Sequence, residues 1–218
     1  MRIPAVLLFA LSGFLVAEML SAQVEESVTP PLRLIDFLAE QGERLDCYFT
    51  LEQFHPIESA GKLELQYAPV KPFAPDSVKS LIKSLQEQVP DAEFRVTDSQ
   101  PPVVQIRDRR LLKQQKYPLD ERIEISFRGT PDGLADEITK LLPKMKRLRG
   151  GLIGDFSGDV VTSVNLKEAK GQVRDILSLA VLGKDYSRVL WRTRATLGAD
   201  GIWEVQIIHF GPRDEGDE

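Results

Sequence analysis

The sequence predicts an α+β protein made of two similar small modules. Apolar and polar residues alternate in "KLELQY" at 62–67 and in "ERIEISF" at 121–127, and this period of two indicates half-buried strands. Each half also contains apolar residues at helical spacing, and each half ends in two strands separated by turn residues. With 42% hydrophobic and 28% charged residues, the 218-residue chain has the composition of a globular protein with a buried core.

The first half begins with a predicted helix over 32–41, which we expect to stop at Gly42. A strand at about 46–51 follows, and the alternating segment at 62–67 is the next strand.

Asp76 is the predicted N-cap of the second helix. The apolar stripe of this helix consists of Val78, Leu81, Ile82, Leu85 and Val89. Two strands, "AEFRVT" at 92–97 and "PVVQIR" at 102–107, complete the first half. The basic segment "RDRRLLKQQK" that follows is predicted to be a linker between the halves or an edge.

The second half opens with the strand at 121–127. Thr130 and Pro131 suit the N-cap and first turn of a helix, and Pro143 is expected to end or kink that helix. The segment "VTSVNLKEAKGQVRDILSL" predicts a strand, a short charged loop containing Gly171, and a helix. The last two strands, "RVLWRTRATL" and "IWEVQIIHF", are joined by "GADG", which is a strong hairpin signal.

The helical stripe of the first half recurs in the second, in Val173, Ile176, Leu177 and Ala180, so "VTSVNLKEAKGQVRDILSL" is interpreted as a repeated folding unit. Two longer segments also correspond: "LIDFLAEQGERLDCYF" leads into "KLELQY" and "DSVKSLIKSL", and "IEISFRGTPDGLADEITKLL" leads into "VVTSVNLKEAKGQVRDILSLAV". On these segments the chain resembles a tandem of the short N-terminal domain of secretins and TonB-dependent transducers, without their downstream barrel or secretin core.

That resemblance implies two modules of strand-helix-strand-strand-helix-strand-strand type. It also implies a periplasmic domain that binds another protein by an exposed sheet edge or a helix face, with no catalytic residues. The predicted organisation is a signal peptide at 1–22, a first module at 23–110, a linker at 111–118, a second module at 119–212 and an acidic tail at 213–218.

The N-terminus has the layout of a secretory signal peptide. Arg2 precedes an apolar run from Ile3 to Val16, and small residues follow at Ser21 and Ala22. Cleavage after Ala22 places Leu20 where a small residue is usual, so an uncleaved anchor remains an alternative. We therefore expect a periplasmic or secreted protein that contacts the membrane only if this segment is retained.

Cys47 is the only cysteine, so the chain has no internal disulfide. It lies in the apolar run "DCYFTL", which favours a buried small hydrophobe over a reactive thiol or an intermolecular disulfide.

The motifs for chemistry are weak, and no catalytic, cofactor or metal site is predicted. "NLKEAKGQV" lacks the glycine spacing and the Lys and hydroxyl pair of a phosphate loop, and "RGGLIGDFSGD" lacks the spacing of the dinucleotide fingerprint. Asp155 and Asp159 supply only two carboxylates for a cation, and His55 and His209 lie in different halves. "DFSGD" is not a nucleophile elbow.

Two basic features are the candidate partner-binding sites. "KMKRLR" is predicted to lie at a helix end, where Lys144, Lys146 and Arg147 would meet the negative end of the helix dipole. In "RVLWRTR", Arg188, Arg192 and Arg194 are predicted to share one face of a strand, opposite a core tryptophan. That face is either a solvated sheet surface or a docking face for an acidic envelope protein or an anionic envelope polymer.

The sequence therefore predicts a noncatalytic interaction or assembly component of the cell envelope. The net charge of -5 argues against nonspecific nucleic-acid binding. Two other classes stay open: a small periplasmic hydrolase that uses carboxylates, and a solute-binding or metal-binding module.

Overall fold

The computed structural model describes residues 30–55, 64–114, 116–151, 163–182 and 188–208. The described residues from Pro31 onward belong to one compact unit. The predicted signal peptide and acidic tail lie outside the described residues, as do Asp155, Asp159 and His209. Within the described part, no helix has the length and apolar character needed to cross a membrane.

The α+β class is confirmed. The strands are β1 (Leu32–Arg33), β2 (Tyr48–Phe54), β3 (Pro69–Val70), β4 (Ala92–Val96), β5 (Val103–Asp108), β6 (Arg122–Gly129), β7 (Met145–Gly151), β8 (Val164–Gln172), β9 (Val189–Leu197) and β10 (Trp203–Ile208). The helices are α1 (Leu34–Leu45), α2 (Val78–Gln88), α3 (Arg109–Leu112), α4 (Pro131–Leu141) and α5 (Val173–Val181). Two 3-10 turns, the first at Leu65–Tyr67 and the second at Pro118–Asp120, complete the elements of the described residues.

One sheet runs through both halves of the molecule. Its six strands have the order β4-β5-β2-β9-β10-β7, while β1 with β3 and β6 with β8 form separate antiparallel pairs. Strand β2 pairs in parallel with β5 on one side and with β9 on the other. Because β2 and β5 belong to the first half and β9 to the second, the pairing of β2 with β9 joins the halves.

The two halves contribute the same strand pattern, in opposite directions. Each half supplies an antiparallel hairpin, β4 with β5 or β9 with β10. Next to the second strand of each hairpin in the sheet lies a parallel strand, which is β2 in the first half and β7 in the second. Strand β9 runs parallel to β2, whereas β4 runs antiparallel to it. The second set of three strands therefore points the opposite way from the first.

The helices of the two halves lie on opposite faces of the shared sheet. Phe49 and Leu51 of β2 belong to the cluster that contains α1 and α2, whereas Tyr48 and Phe54 pack against the cluster that contains α4 and α5. Alternate residues of a strand point to opposite faces, so the two clusters lie on opposite sides of β2. In strand order, strand direction and helix face, the two three-stranded sets are thus arranged as a two-fold screw axis running across the strands would arrange them.

Helix α1 continues past its predicted stop, so that prediction was wrong. Gly42 is buried inside the helix, and a Cβ atom added there would lie 2.4 Å from Cβ of Arg188. The helix ends at Asp46, which has a φ of 46° and donates its N–H to the carbonyl of Gly42. The glycine permits close packing of α1 against the start of β9.

Helix α2 lies where it was predicted, but its N-cap is Ser77 and not Asp76. The Ser77 hydroxyl accepts the Ser80 N–H at 3.2 Å, and the Ser80 hydroxyl accepts the Ser77 N–H in return. The Asp76 carboxylate instead accepts hydrogen bonds from the Ser80 and Ser77 hydroxyls, and these lower the pKa of Asp76.

The strand predicted at 62–67 is wrong in its described part. Leu65–Tyr67 form the first 3-10 turn, and Leu65 and Gln66 are both buried although they are adjacent in sequence. The Gln66 N–H donates to Oε1 of Gln53 on β2 at 3.2 Å. The turn places Glu64 and Gln66 beside arginines of β9, which a local alternation pattern does not encode.

The charged loop predicted around Gly171 is also wrong, because β8 continues to Gln172 and α5 begins at the next residue. Gly171 lies in the strand, opposite Ile123 of β6. The strand accommodates the extra length by an irregularity at Glu168, which has a φ of 48° and donates its N–H to the Ser126 hydroxyl at 3.0 Å.

The helix after β6 begins and ends as predicted. The Thr130 hydroxyl accepts the Gly133 N–H at 3.2 Å, Pro131 is the first helical residue, and α4 ends at Leu141, before Pro143. The closing hairpin of β9 and β10 is confirmed as well.

Candidate functional site: the junction of the halves and the ends of the sheet

A largely buried polar network lies where the two halves meet. It is on the face of β2 and β5 that is turned toward the helices of the second half. Glu52 of β2 and Arg107 of β5 are neighbours across the strand pair, and both face the helices of the second half. Arg174 of α5 and Asp120 of the second 3-10 turn meet them there. Glu52 and Arg174 are 0% and 1% exposed and Arg107 is also buried, whereas the Asp120 side chain is 40% exposed, so the network reaches solvent only at Asp120.

Two arginines bridge two carboxylates in this network. Arg174 Nη1 lies 3.2 Å from Glu52 Oε1, and Arg107 Nε lies 3.8 Å from Glu52 Oε2. Arg107 Nη2 donates to both Asp120 carboxylate oxygens at 3.1 and 3.2 Å, and Arg174 Nη2 contacts the same carboxylate. Each arginine therefore pairs with one acid of each half, and Arg107 Nη1 also lies 3.7 Å from Oε2 of the more exposed Glu93.

Burial raises the pKa of Glu52, and the charges of Arg174 and Arg107 partly oppose this effect. Tyr117, which is also buried, has a pKa well above its ordinary value because of burial and the nearby Glu52 charge. A carboxyl group with a raised pKa is suited to proton transfer, but here it is enclosed by its arginine partners. The arrangement is suited to holding the halves in register.

A second set of polar contacts lies on the opposite face, around Arg192 and Arg194 of β9. Arg194 Nη2 lies 2.8 Å from Glu64 Oε1, and Arg192 Nη1 donates to Oε1 of Gln66. Burial lowers the pKa of Arg192. These arginines share a face, as predicted, but the first 3-10 turn packs over that face.

Arg188 does not join them. Its guanidinium lies 3.1 Å from Glu43 and 2.9 Å from Asp46 at the end of α1, and 5.0 Å from the ring centroid of Tyr48. The hydrogen bond with Glu43 is the main cause that raises the pKa of Arg188. The three arginines predicted as one docking face thus divide between two sets of partners within the chain.

The helix end predicted for "KMKRLR" is wrong, because α4 has already ended and Lys146 and Arg147 belong to β7. Pairing of β7 with β10 replaces the helix. Lys144 is exposed just before β7, and the neighbouring Lys116 ammonium lowers the pKa of Lys144. The basic residues accordingly lie along the last strand of the sheet.

Among the described strands, β4 and β7 each have a neighbour on one side only, so they form the two ends of the six-stranded sheet. In β4, the Thr97 N–H donates to Val103 and the Asp91 carbonyl accepts from Arg109, at 2.9 and 2.8 Å. The alternation of an antiparallel pair then directs the backbone groups of Phe94 and Val96 away from β5. Val96 is 43% exposed whereas Phe94 is 9% exposed, so the outer side of β4 is open to solvent at Val96.

The outer side of β7 is partly capped. The Leu148 N–H donates to the Thr139 hydroxyl of α4 at 2.9 Å and therefore points away from β10. Gly150, two residues on, directs its N–H to the same side because strand alternation repeats every two residues. The sequence does not reveal either sheet end, because the pairing partners of a strand are set by contacts distant in the chain.

Other candidate groups are structural in their described surroundings. Cys47 is buried, as predicted, and burial raises the pKa of its thiol to about 11. His55 Nδ1 lies 3.7 Å from a Glu64 oxygen. Across the described ranges, no three His, Cys, Asp or Glu side chains are grouped in a way that could hold a metal ion.

A comparison with protein-family models finds no matching family, and comparisons with curated proteins and with solved structures find no significant match.

Proposed function

We propose that the chain is an exported, noncatalytic assembly module of the cell envelope that binds a partner protein at the ends of its six-stranded sheet. The parallel pairing of β2 with β9 carries this proposal, because the halves of the chain are themselves joined by strand addition. An end strand offers unpaired backbone donors and acceptors to a further strand. Strands β4 and β7 hold that position here.

The proposed location, periplasmic or secreted, rests on the signal-like N-terminus. An anionic envelope polymer is a second candidate partner. Lys144 and Lys116 support it, because two like charges held side by side gain from a shared anion. The internally paired arginines Arg188, Arg192 and Arg194 are less available for such a contact.

The alternative function is a small periplasmic hydrolase with carboxylate catalysis. Glu52 is its best candidate acid, since burial raises the Glu52 pKa. The enclosure of Glu52 by Arg174 and Arg107 favours the structural role, because a substrate would have to displace both ion pairs.

A photo-crosslinking amino acid tests the proposal in cells that make the full chain. It is placed at Val96 in β4, at Lys146 in β7 or, as the matched control, at Glu87, an exposed position on α2. We expect an adduct of one defined mass, identified by mass spectrometry, from the two strand positions and none from Glu87. Equal labelling at all three positions would contradict the proposal.

The purified mature chain is tested in parallel against a broad set of hydrolase substrates. Turnover that disappears in a folded Glu52→Gln variant would establish the hydrolase alternative instead.

A further inference from the structure

We infer, building on the proposed function, that the protein bound at the sheet ends is a second copy of this chain. In this assembly, β7 of one copy pairs in parallel with β4 of the next. The internal junction supplies the argument. Strand β2 occupies the same place in the first half as β7 in the second, and β4 the same place as β9.

The molecule already contains one such contact, between β2 and β9. Its equivalent strands, β7 and β4, are those left at the two ends of the sheet. Pairing β7 with β4 of another copy would therefore repeat the β2–β9 contact, because β7 is equivalent to β2 and β4 is equivalent to β9. It needs no new kind of interface.

Charge favours the same pairing. The segment 144–149 around β7 contains four basic residues and no acid: Lys144, Lys146, Arg147 and Arg149. In 91–98 around β4, the acids Asp91, Glu93 and Asp98 outnumber the single basic residue Arg95. Opposite charges on neighbouring strands attract, whereas pairing β7 with another β7 would oppose like charges.

The symmetry of the internal junction sets the form of the assembly. A contact between two different surfaces is heterologous, and it gives a closed ring only if its rotation closes. The internal contact follows a screw axis along the sheet, so repeating it extends the sheet in one direction. We expect an open-ended series of chains whose mean mass increases with protein concentration.

Two proline variants block one end each. Val96→Pro removes an outward N–H of β4, and Gly150→Pro removes an outward N–H of β7, while the pairing with β5 or β10 is kept. Val96→Ala and Gly150→Ala are the matched controls, because they retain both N–H groups. Sedimentation velocity of the mature chain measures the mass, and near-ultraviolet circular dichroism checks the fold.

We expect the unchanged chain and both alanine controls to form species larger than dimers as concentration rises. Each proline variant alone should have the mass of one chain. An equal mixture of the two should form a dimer and nothing larger, because one unblocked β7 then meets one unblocked β4. A monomeric unchanged chain at all concentrations, or a mixture that stays monomeric, would overturn the inference.

If a proline variant fails to fold, charge reversal keeps the test decisive. Lys146→Glu with Arg147→Glu should abolish association, and adding Asp91→Lys with Asp98→Lys in the same chain should restore it; failure to restore it would count against the pairing. A monomeric chain whose β4 and β7 positions still crosslink to a different protein would overturn only this inference. Absence of both association and crosslinking would overturn the proposed function as well.

Discussion

Arg174 Nη1 of α5 lies 3.2 Å from Glu52 Oε1 of β2, and this contact joins a helix of the second half to a strand of the first. Taking both charges out of water costs free energy that their attraction only partly returns. Removing one partner is much worse, because the other charge stays buried without compensation. The pair therefore makes the stability of the molecule depend on correct docking of its halves.

Replacing Arg174 by Met should lower the free energy of unfolding by about 3–5 kcal/mol, because Glu52 then loses its nearest cation. Urea denaturation followed by tryptophan fluorescence measures the loss, since Trp191 and Trp203 are buried. Arg33→Met is the control. Arg33 pairs with Asp36 at 2.5 Å but is 59% exposed, so its loss should cost under about 1 kcal/mol. Similar costs for the two variants would contradict the role assigned to Arg174.

Some local signals in the sequence predicted local structure correctly. Thr130 and Pro131 start α4 because an N-cap hydroxyl and a proline at the first helical position act within one turn. The segment at 62–67 failed because contacts of Glu64 and Gln66 with β9 outweigh their alternation with leucines. Such contacts join residues more than a hundred positions apart, so no local pattern reports them.

The candidate site was missed for the same reason. Arg107 was predicted as the last residue of the strand at 102–107 and also counted in the basic segment after it, but its pairing with Glu52 and Asp120 was not predicted. The available signal in the sequence was Glu52, a lone acid within the apolar run of β2. A buried charge requires a partner, so Glu52 indicated that a basic residue would lie beside it. Which strand would supply that partner depends on sheet order, and so do the identities of the two end strands.

The raised pKa of Glu52 predicts a pH dependence. Folding raises the Glu52 pKa above its unfolded value of 4.5, so the folded state binds a proton more tightly than the unfolded state. The contribution of Glu52 to stability should then decrease as pH rises above about 4.5, by at most about 1.4 kcal/mol per pH unit.

Comparison of the unchanged chain with Glu52→Gln isolates this effect, because glutamine does not titrate. We expect the free energy of unfolding of the unchanged chain, minus that of the variant, to decrease as the pH of the urea titrations is raised above about 4.5. A difference that is constant or increases with pH would show that the Glu52 pKa is not raised.

Cys47 should resist thiol reagents in the folded protein. Its pKa is raised to about 11, so about one thiol in a thousand is ionised at pH 8, and the side chain is buried as well. Reaction with a disulfide reagent should be at least about a hundredfold slower than in the urea-unfolded chain, where the thiol pKa returns to its ordinary value of 9.0. Equal rates in the two states would contradict the buried position.

Gly42→Ala should destabilise the protein even though alanine favours helix more than glycine does. The new Cβ would lie 2.4 Å from Arg188 Cβ, so α1 and the start of β9 must separate, at a cost of about 1–3 kcal/mol. Gly171→Ala is the matched control, because its Cβ would meet nothing closer than 3.8 Å and should leave stability unchanged or raise it by up to about 1 kcal/mol. Urea denaturation of both variants measures the contrast. Helix α1 and strand β9 come from different halves. If Gly42→Ala leaves the free energy of unfolding unchanged, the two halves pack less closely here than the 2.4 Å between the added Cβ and Arg188 Cβ implies.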